Sequence, residues 1–257
     1  MHILVTNDDG VRSPSLAALS EAAAKRGHRV TVSAPMGEQS ARSHAFTLNE
    51  PLRVRPARVP GAEAAWAVGG TPVDSCRVGM MCLCGEKPDL VISGSNNGYN
   101  VGLAVYVSGT VGAAREAAFQ QVPAIAASMA VGTPEETVRL FAGWVVALGE
   151  RLVKSGMPRL TVCSVNVPAV PPAGLRAPVL CPLSRLVYRD SYEERVNPRG
   201  ERYFWLGPEQ PQDSPEPGSD VALLTEGHIT VTMLCPGADC GVPEGERKAV
   251  ANLFPEI

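Results

Sequence analysis

Short β-branched apolar runs alternate with helix-patterned stretches through the first 170 residues, and this alternation restricts the fold more than any other feature of the chain. "HILVTN" (2–7) is followed by "SPSLAALSEAAAKRG". There Ser13 is placed to cap a helix, Pro14 to open it and Gly27 to stop it, with Leu16, Leu19 and Ala23 along one face. "RVTVSA" (29–34) reads as a second strand, and "FTL", "LRVRP" and "AAWAVGG" as further strand segments. Thr71, Pro72 and Asp74 then open a helix in "TPVDSCRVGMMCL". "PDLVIS" (88–93), "PAIAAS" and "RLTVCSVNVP" are strands, and "GTVGAAREAAF" is a helix. "TPEETVRLFAGWVVALGERLVKSG" is a long helix with a Thr133–Glu136 capping box and an apolar stripe of Val138, Phe141, Val145, Leu148 and Leu152. Such an order predicts an α/β fold: a Rossmann-like, mostly parallel sheet with helices on both faces.

Beyond residue 170 the texture changes to proline-rich loops. "NPRG" (197–200) predicts a turn between "RLVYRDSYEERV" and "ERYFWLG", a protruding β-hairpin, and "GHITVTML" a half-buried closing strand. Two parts are therefore expected: a core over 1–170 that carries any functional site, and an extension over 171–257 with an oligomerisation hairpin. No internal repeat is visible.

Charge and composition remove several function classes. The 257 residues are 45% hydrophobic, enough for a sizeable core, and 26 acids against 23 bases give a net charge of −3 with no basic block. This argues against a nucleic acid polymer or an anionic membrane as partner. No run approaches the ~20 apolar residues of a membrane helix, and no leader pattern opens the chain, so a soluble, cytoplasmic protein is expected. The seven cysteines are scattered and odd in number, which disfavours a disulfide framework. "CLC" and "CPGADC" together offer four thiols, but neither has the usual zinc-knuckle gap, and buried thiols are the expectation.

In parallel sheets, ligands collect beyond the carboxyl ends of strands, and there "NDDG" places Asp8 and Asp9. Adjacent carboxylates repel and call for a cation, unless the segment is an ordinary solvated turn. Ser40 follows the second strand in "PMGEQSARSHAF", and Asn96 follows "PDLVIS" in "GSNNGYN". Singly these are a loop serine and a left-handed turn residue; with the aspartates they form a hard oxygen set suited to Mg²⁺ or Mn²⁺. Ser108, Gly109 and Thr110 begin a helix where free N–H groups either receive an anion or are capped by Ser108 or Thr110. Neither G-x-G-x-x-G nor G-x-x-x-x-G-K occurs. His44 has no triad around it and reads as structural or as part of a rim, and Arg42 and Arg115 as surface charges.

Six segments, "VTNDDG", "SARSHAFTL", "GGTPVDS", "PDLVISGSNNGYN", "VSGTVGAAREA" and "GSDVALLTEGHITVT", occur in this order from His2 to about Leu234. In them the chain resembles the SurE family of survival-protein nucleotidases. The resemblance implies a Rossmann-like domain with a swapped C-terminal extension, homodimers or homotetramers, and hydrolysis of nucleoside 5′- and 3′-monophosphates with one divalent cation, Mg²⁺ or Mn²⁺. It implies Asp8, Asp9, Ser40 and Asn96 as metal ligands, with Asp8 and Asp9 catalytic, and Ser108, Gly109 and Thr110 beside the phosphate. Short polyphosphate is left open as a further substrate. The chain departs from the family pattern at Val107, where tyrosine is usual, at Ser75, often cysteine, and in the acid-free "VGLAVY". Two other classes fit the same sequence: a non-catalytic nucleotide- or metal-binding regulatory module, and an oligomeric structural protein built on the aromatic hairpin with Tyr188, Tyr203, Phe204 and Trp205.

Overall fold

A computed structural model describes residues 1–208 and 210–235 of the chain. β1 (His2–Thr6) is buried throughout because it has a parallel neighbour on each side and helices above and below. The alternation of side chains along strands then divides the core in two. Ile3 and Val5 face a cluster containing Leu16, Leu19, Phe141 and Val145, whereas Leu4 faces Cys76, Val111 and Ala114.

The helices that supply these faces are α1 (Pro14–Lys25), α2 (Pro72–Val78), α3 (Gly109–Phe119) and α4 (Glu135–Ser155). α1 and α4 cover one face, α2 and α3 the other. The strands between them are β2 (Arg29–Pro35), β3 (Val54–Pro56), β4 (Ala64–Val68), β5 (Leu90–Asn97), β6 (Ala124–Met129) and β7 (Val162–Val167). After β7 come β8 (Arg176–Leu180), β9 (Tyr188–Arg189), β10 (Tyr192–Val196), β11 (Arg202–Leu206), β12 (Gln210–Pro211), α5 (Asp220–Thr225) and β13 (His228–Leu234).

The nine-stranded sheet has the order β3-β4-β2-β1-β5-β6-β7-β13-β8, with β4 to β7 parallel and β3 and β13 antiparallel to their inner neighbours. This is the expected α/β class. The chain runs outward through β2 to β3 and then returns to β5 on the other side of β1. The carboxyl ends of β1 and β5 thus form a topological switch point, where a crevice opens.

Several local expectations are corrected. "FTL" is an exposed loop and not a strand: the Thr47 amide and hydroxyl both donate to Asp74 at the start of α2, which holds the segment away from the sheet. "LRVRP" shrinks to β3, an edge strand on which Pro56 is tolerated. The Thr133–Glu136 capping box does not form, because the Thr133 hydroxyl donates to the Ala130 carbonyl and Pro134 precedes the helix. The Thr71–Asp74 box does form. β5 continues past "PDLVIS" to Asn97, which puts Asn96 on a strand end; Asn96 has no left-handed backbone. β8 was not legible, and β13 lies inside the main sheet, so the expected division at residue 170 falls within that sheet. The hairpin of β10 and β11 projects from it as a separate ribbon.

Candidate functional site

Four segments meet at the switch point. The β1 turn is locked by Asn7, whose side chain donates to the Gly10 carbonyl and accepts from the Gly10 amide, both at 3.1 Å. That turn presents Asp8 and Asp9. The loop after β2 is drawn in by a bond from the Gln39 amide to the Asp8 carbonyl at 2.8 Å. It is fastened further by Ser43, whose amide and hydroxyl donate to the carbonyls of Val107 and Tyr106. β5 supplies Asn96, and α3 begins beside Asp8.

These segments enclose a polar cavity of about 320 Å³ lined by Asp8, Asp9, Glu38, Ser40, Asn96, Asn97, Asn100 and Ser108, with Ala41, Ala104 and Val107 at its edge. The four oxygen donors expected from the sequence are therefore gathered in one place. No Lys or Arg lines it. Arg42 bonds Gln39, and Arg115 lines a separate apolar cavity with His44 and Phe119. His44 pairs with Glu116 on α3, a structural role that matches its expectation.

The donors differ in their bonding. Asp8 is buried, and both its oxygens accept from Thr110: Oδ1 from the hydroxyl at 2.5 Å and Oδ2 from the amide at 3.1 Å. Asp9 is different, since its Oδ2 is buried without any partner. Burial raises the Asp8 carboxyl above the ordinary carboxylate range, and burial with the neighbouring Asp8 charge pushes Asp9 up to about 6. At both carboxylates burial outweighs the hydrogen bonds that they receive. The Asn96 Nδ2 donates to the Gly98 carbonyl at 2.8 Å, which leaves the amide oxygen as its ligating end. The Ser40 hydroxyl donates to Glu38 at 2.8 Å and keeps its lone pairs.

An orphaned buried carboxylate oxygen beside a second carboxylate, a hydroxyl and an amide oxygen fits a hard divalent cation. Among the described residues no group of three or more His, Cys, Asp or Glu could hold a metal, so any site here depends on the neutral ligands Ser40 and Asn96. Cys82 and Cys235 are exposed free thiols, while Cys240 of the imagined zinc set lies outside the described residues.

The start of α3 sets its three residues in different surroundings. Ser108 caps the helix by accepting from the Val111 amide, and it lines the cavity. Thr110, however, is fully buried and gives both donors to Asp8, so it faces a carboxylate of its own chain and not the open cavity. Gly109 is required between them: a Cβ there would lie 2.9 Å from Pro72 Cγ and 3.2 Å from both Cβ and Oδ2 of Asp8.

A family model described as "Survival protein SurE" matches residues 3–190. The chain belongs to the SurE family. It is 44% identical over 234 residues to a protein of Nitratidesulfovibrio vulgaris (strain DP4) named 5′-nucleotidase SurE, covering 91% of this chain and 93% of the relative. A protein of the same name from Synechococcus sp. (strain JA-3-3Ab) is 40% identical over 239 residues, covering 92% of each. Among solved structures, the SurE protein of Aquifex aeolicus superposes with a TM-score of 0.79 at 29% identity, over 98% of this chain and 99% of that one. The family expected from six ordered motifs is thus the family found.

Five residues of this region carried no weight in the sequence: Asn7, Glu38, Asn97, Asn100 and Asp220. All lie within or beside the quoted motifs, so position was the available signal. Asp220 is buried in "GSDV" and accepts from the amides of Gly102, Ser184 and Val221, tying the turn over Gly102–Tyr106 at the cavity edge to the chain after residue 170.

Proposed function

We propose that the chain is a divalent-metal-dependent phosphomonoesterase that hydrolyses nucleoside monophosphates. The observation that carries this reading is the cavity itself: Asp8, Asp9, Ser40 and Asn96 converge there beside the capped start of α3, with one carboxylate oxygen of Asp9 buried and unpartnered. The relatives named 5′-nucleotidase support nucleoside 5′-monophosphates as the substrate class, and 3′-monophosphates are proposed beside them.

Asp8, Asp9, Ser40 and Asn96 would hold the cation. When bound, Mg²⁺ or Mn²⁺ supplies Lewis-acid charge that neutralises phosphoryl oxygens and makes water a better nucleophile. The Ser108 hydroxyl, whose oxygen already accepts from Val111, and the Gly109 amide are the donors that we assign to the phosphate, in place of Thr110. Asp9 is the preferred acceptor for the proton of the attacking water, because both Asp8 oxygens are already engaged. A terminal monoester would place two oxygens at once on the cation and on the start of α3, whereas the second substituent of a diester would occupy one of those positions, so monoesters are the proposed substrates although no basic side chain lines the cavity. The exposed hairpin is proposed as the contact of a homodimer or homotetramer.

The test is phosphate release from a nucleoside 5′-monophosphate by protein stripped with EDTA. Release should vanish and return on adding Mn²⁺ or Mg²⁺, and the matching cyclic diester should be cut far more slowly. Full activity in metal-free buffer would overturn the mechanism, and comparable kcat/KM on the diester would favour a phosphodiesterase. Metal binding without any phosphate release would favour the non-catalytic module.

A further inference from the structure

We infer that Thr110 is a positioning residue that fixes the Asp8 carboxylate for metal binding and does not itself contact phosphate. The inference rests on the reading of Asp8 as a metal ligand. A carboxylate on a short side chain rotates unless both oxygens are held, and a wavering ligand binds a cation weakly. Thr110 holds both: its hydroxyl meets Oδ1 at 2.5 Å and its amide meets Oδ2 at 3.1 Å, a two-point grip from one residue.

The grip is rigid because Thr110 is the second residue of α3 and is 0% exposed. Helix backbone fixes its amide, and α3 is in turn held to the loop that carries Ser40. The clearance of Gly109 lets the helix start approach Asp8 closely enough to form both bonds. Two consequences follow. Asp8 offers its remaining lone pairs in a set direction, while Asp9, with Oδ2 unpartnered, stays adjustable. A Thr110 hydroxyl that donated to phosphate would have to release Asp8, so the positioning and phosphate-binding roles exclude each other and separate in experiment.

The test is calorimetric titration of Mn²⁺ into apoprotein in phosphate-free buffer. Thr110→Val keeps the shape and the amide but removes the hydroxyl, and it should weaken the Mn²⁺ Kd by about 10- to 100-fold, the usual loss when the partner of a metal ligand is removed. Thr110→Ser restores the hydroxyl and should stay within about threefold of the wild type. In an Asp8→Asn background, Thr110→Val should have no further effect. Inhibition of Mn²⁺-saturated protein by inorganic phosphate should be the same in Thr110→Val and wild type.

Unchanged Mn²⁺ affinity with weakened phosphate inhibition would overturn the inference and return Thr110 to the phosphate. Should Thr110→Val lose its circular-dichroism signature of folding, Thr110→Ser decides: wild-type affinity supports the grip, and a loss of about tenfold or more overturns it. A wild-type protein that takes up no Mn²⁺ would fail at the first titration, sinking the metal reading together with this one, and is distinct from a wild type that binds and a variant that binds equally well.

Discussion

Asp9 is the residue at which stability and function are set against each other. Its Oδ2 is buried without a partner and its carboxyl is pushed up to about 6 beside Asp8, so without a cation the pair opposes folding. Asp9→Asn should therefore stabilise the apoprotein by about 1 kcal/mol, or roughly 2–4 °C in Tm. Turnover should fall by more than the ~100-fold typical of losing an outer partner. Scanning calorimetry after EDTA treatment, paired with kcat, checks both halves; a lower apo Tm together with retained turnover would contradict them. Ser40→Ala and Asn96→Ala remove neutral ligands and should weaken metal affinity more mildly than either aspartate change. The convergence of the four proposed ligands was legible because their chemistry and their places at strand ends agree. The bond of Thr110 to Asp8 was not legible for a physical reason: the free donors of a helix start look the same in sequence whether the anion they meet is a ligand or an aspartate far along the chain.

At the scale of elements, α3 is placed by a charged cluster as much as by packing. Glu116 on α3 is 3% exposed and accepts from Arg77 of α2, from Gln120 and from His44 of the Ser40 loop. The bond from His44, with help from Gln120 and Arg77, holds its carboxyl below the ordinary value of 4.5 despite burial. A depressed carboxylate contributes stability that is present above its unfolded value and lost as pH falls through the folded one. The Tm of wild type should then drop more steeply than that of Glu116→Gln below about pH 4.5. At neutral pH the substitution should cost about 1.5–3 kcal/mol. Parallel Tm–pH curves for the two proteins would remove the cluster from the account. The strand and helix alternation was legible because each element shows its own period; the cap at Thr133 failed because the nearby Ala130 carbonyl took its hydroxyl, and the "FTL" strand because Asp74, far along the chain, took the donors of Thr47. Asp220 shows the same limit, since its three amide donors come from three different parts of the chain or its own backbone neighbour.

For the whole molecule, the cavity is lined by residues between Asp8 and Ser108, whereas β10 and β11 form a ribbon apart from the main sheet. β10 and β11 are exposed at every residue, and their register puts Tyr192, Val196, Phe204 and Leu206 on one face and Tyr203 and Trp205 on the other. An isolated two-stranded ribbon is marginal in water, and six large apolar side chains on it need a covering surface. A second copy of the chain is the cover proposed for this ribbon. Phe204→Glu with Leu206→Lys keeps the turn and the exposed ion pairs but makes one face polar. Light scattering should show the native mass of this variant falling below that of the wild type, while kcat per chain on a nucleoside monophosphate stays within about twofold, because no residue of the arm lines the cavity. An unchanged native mass would rule out this face as the contact, and a lost kcat with intact metal binding would show that the neighbouring copy completes the site.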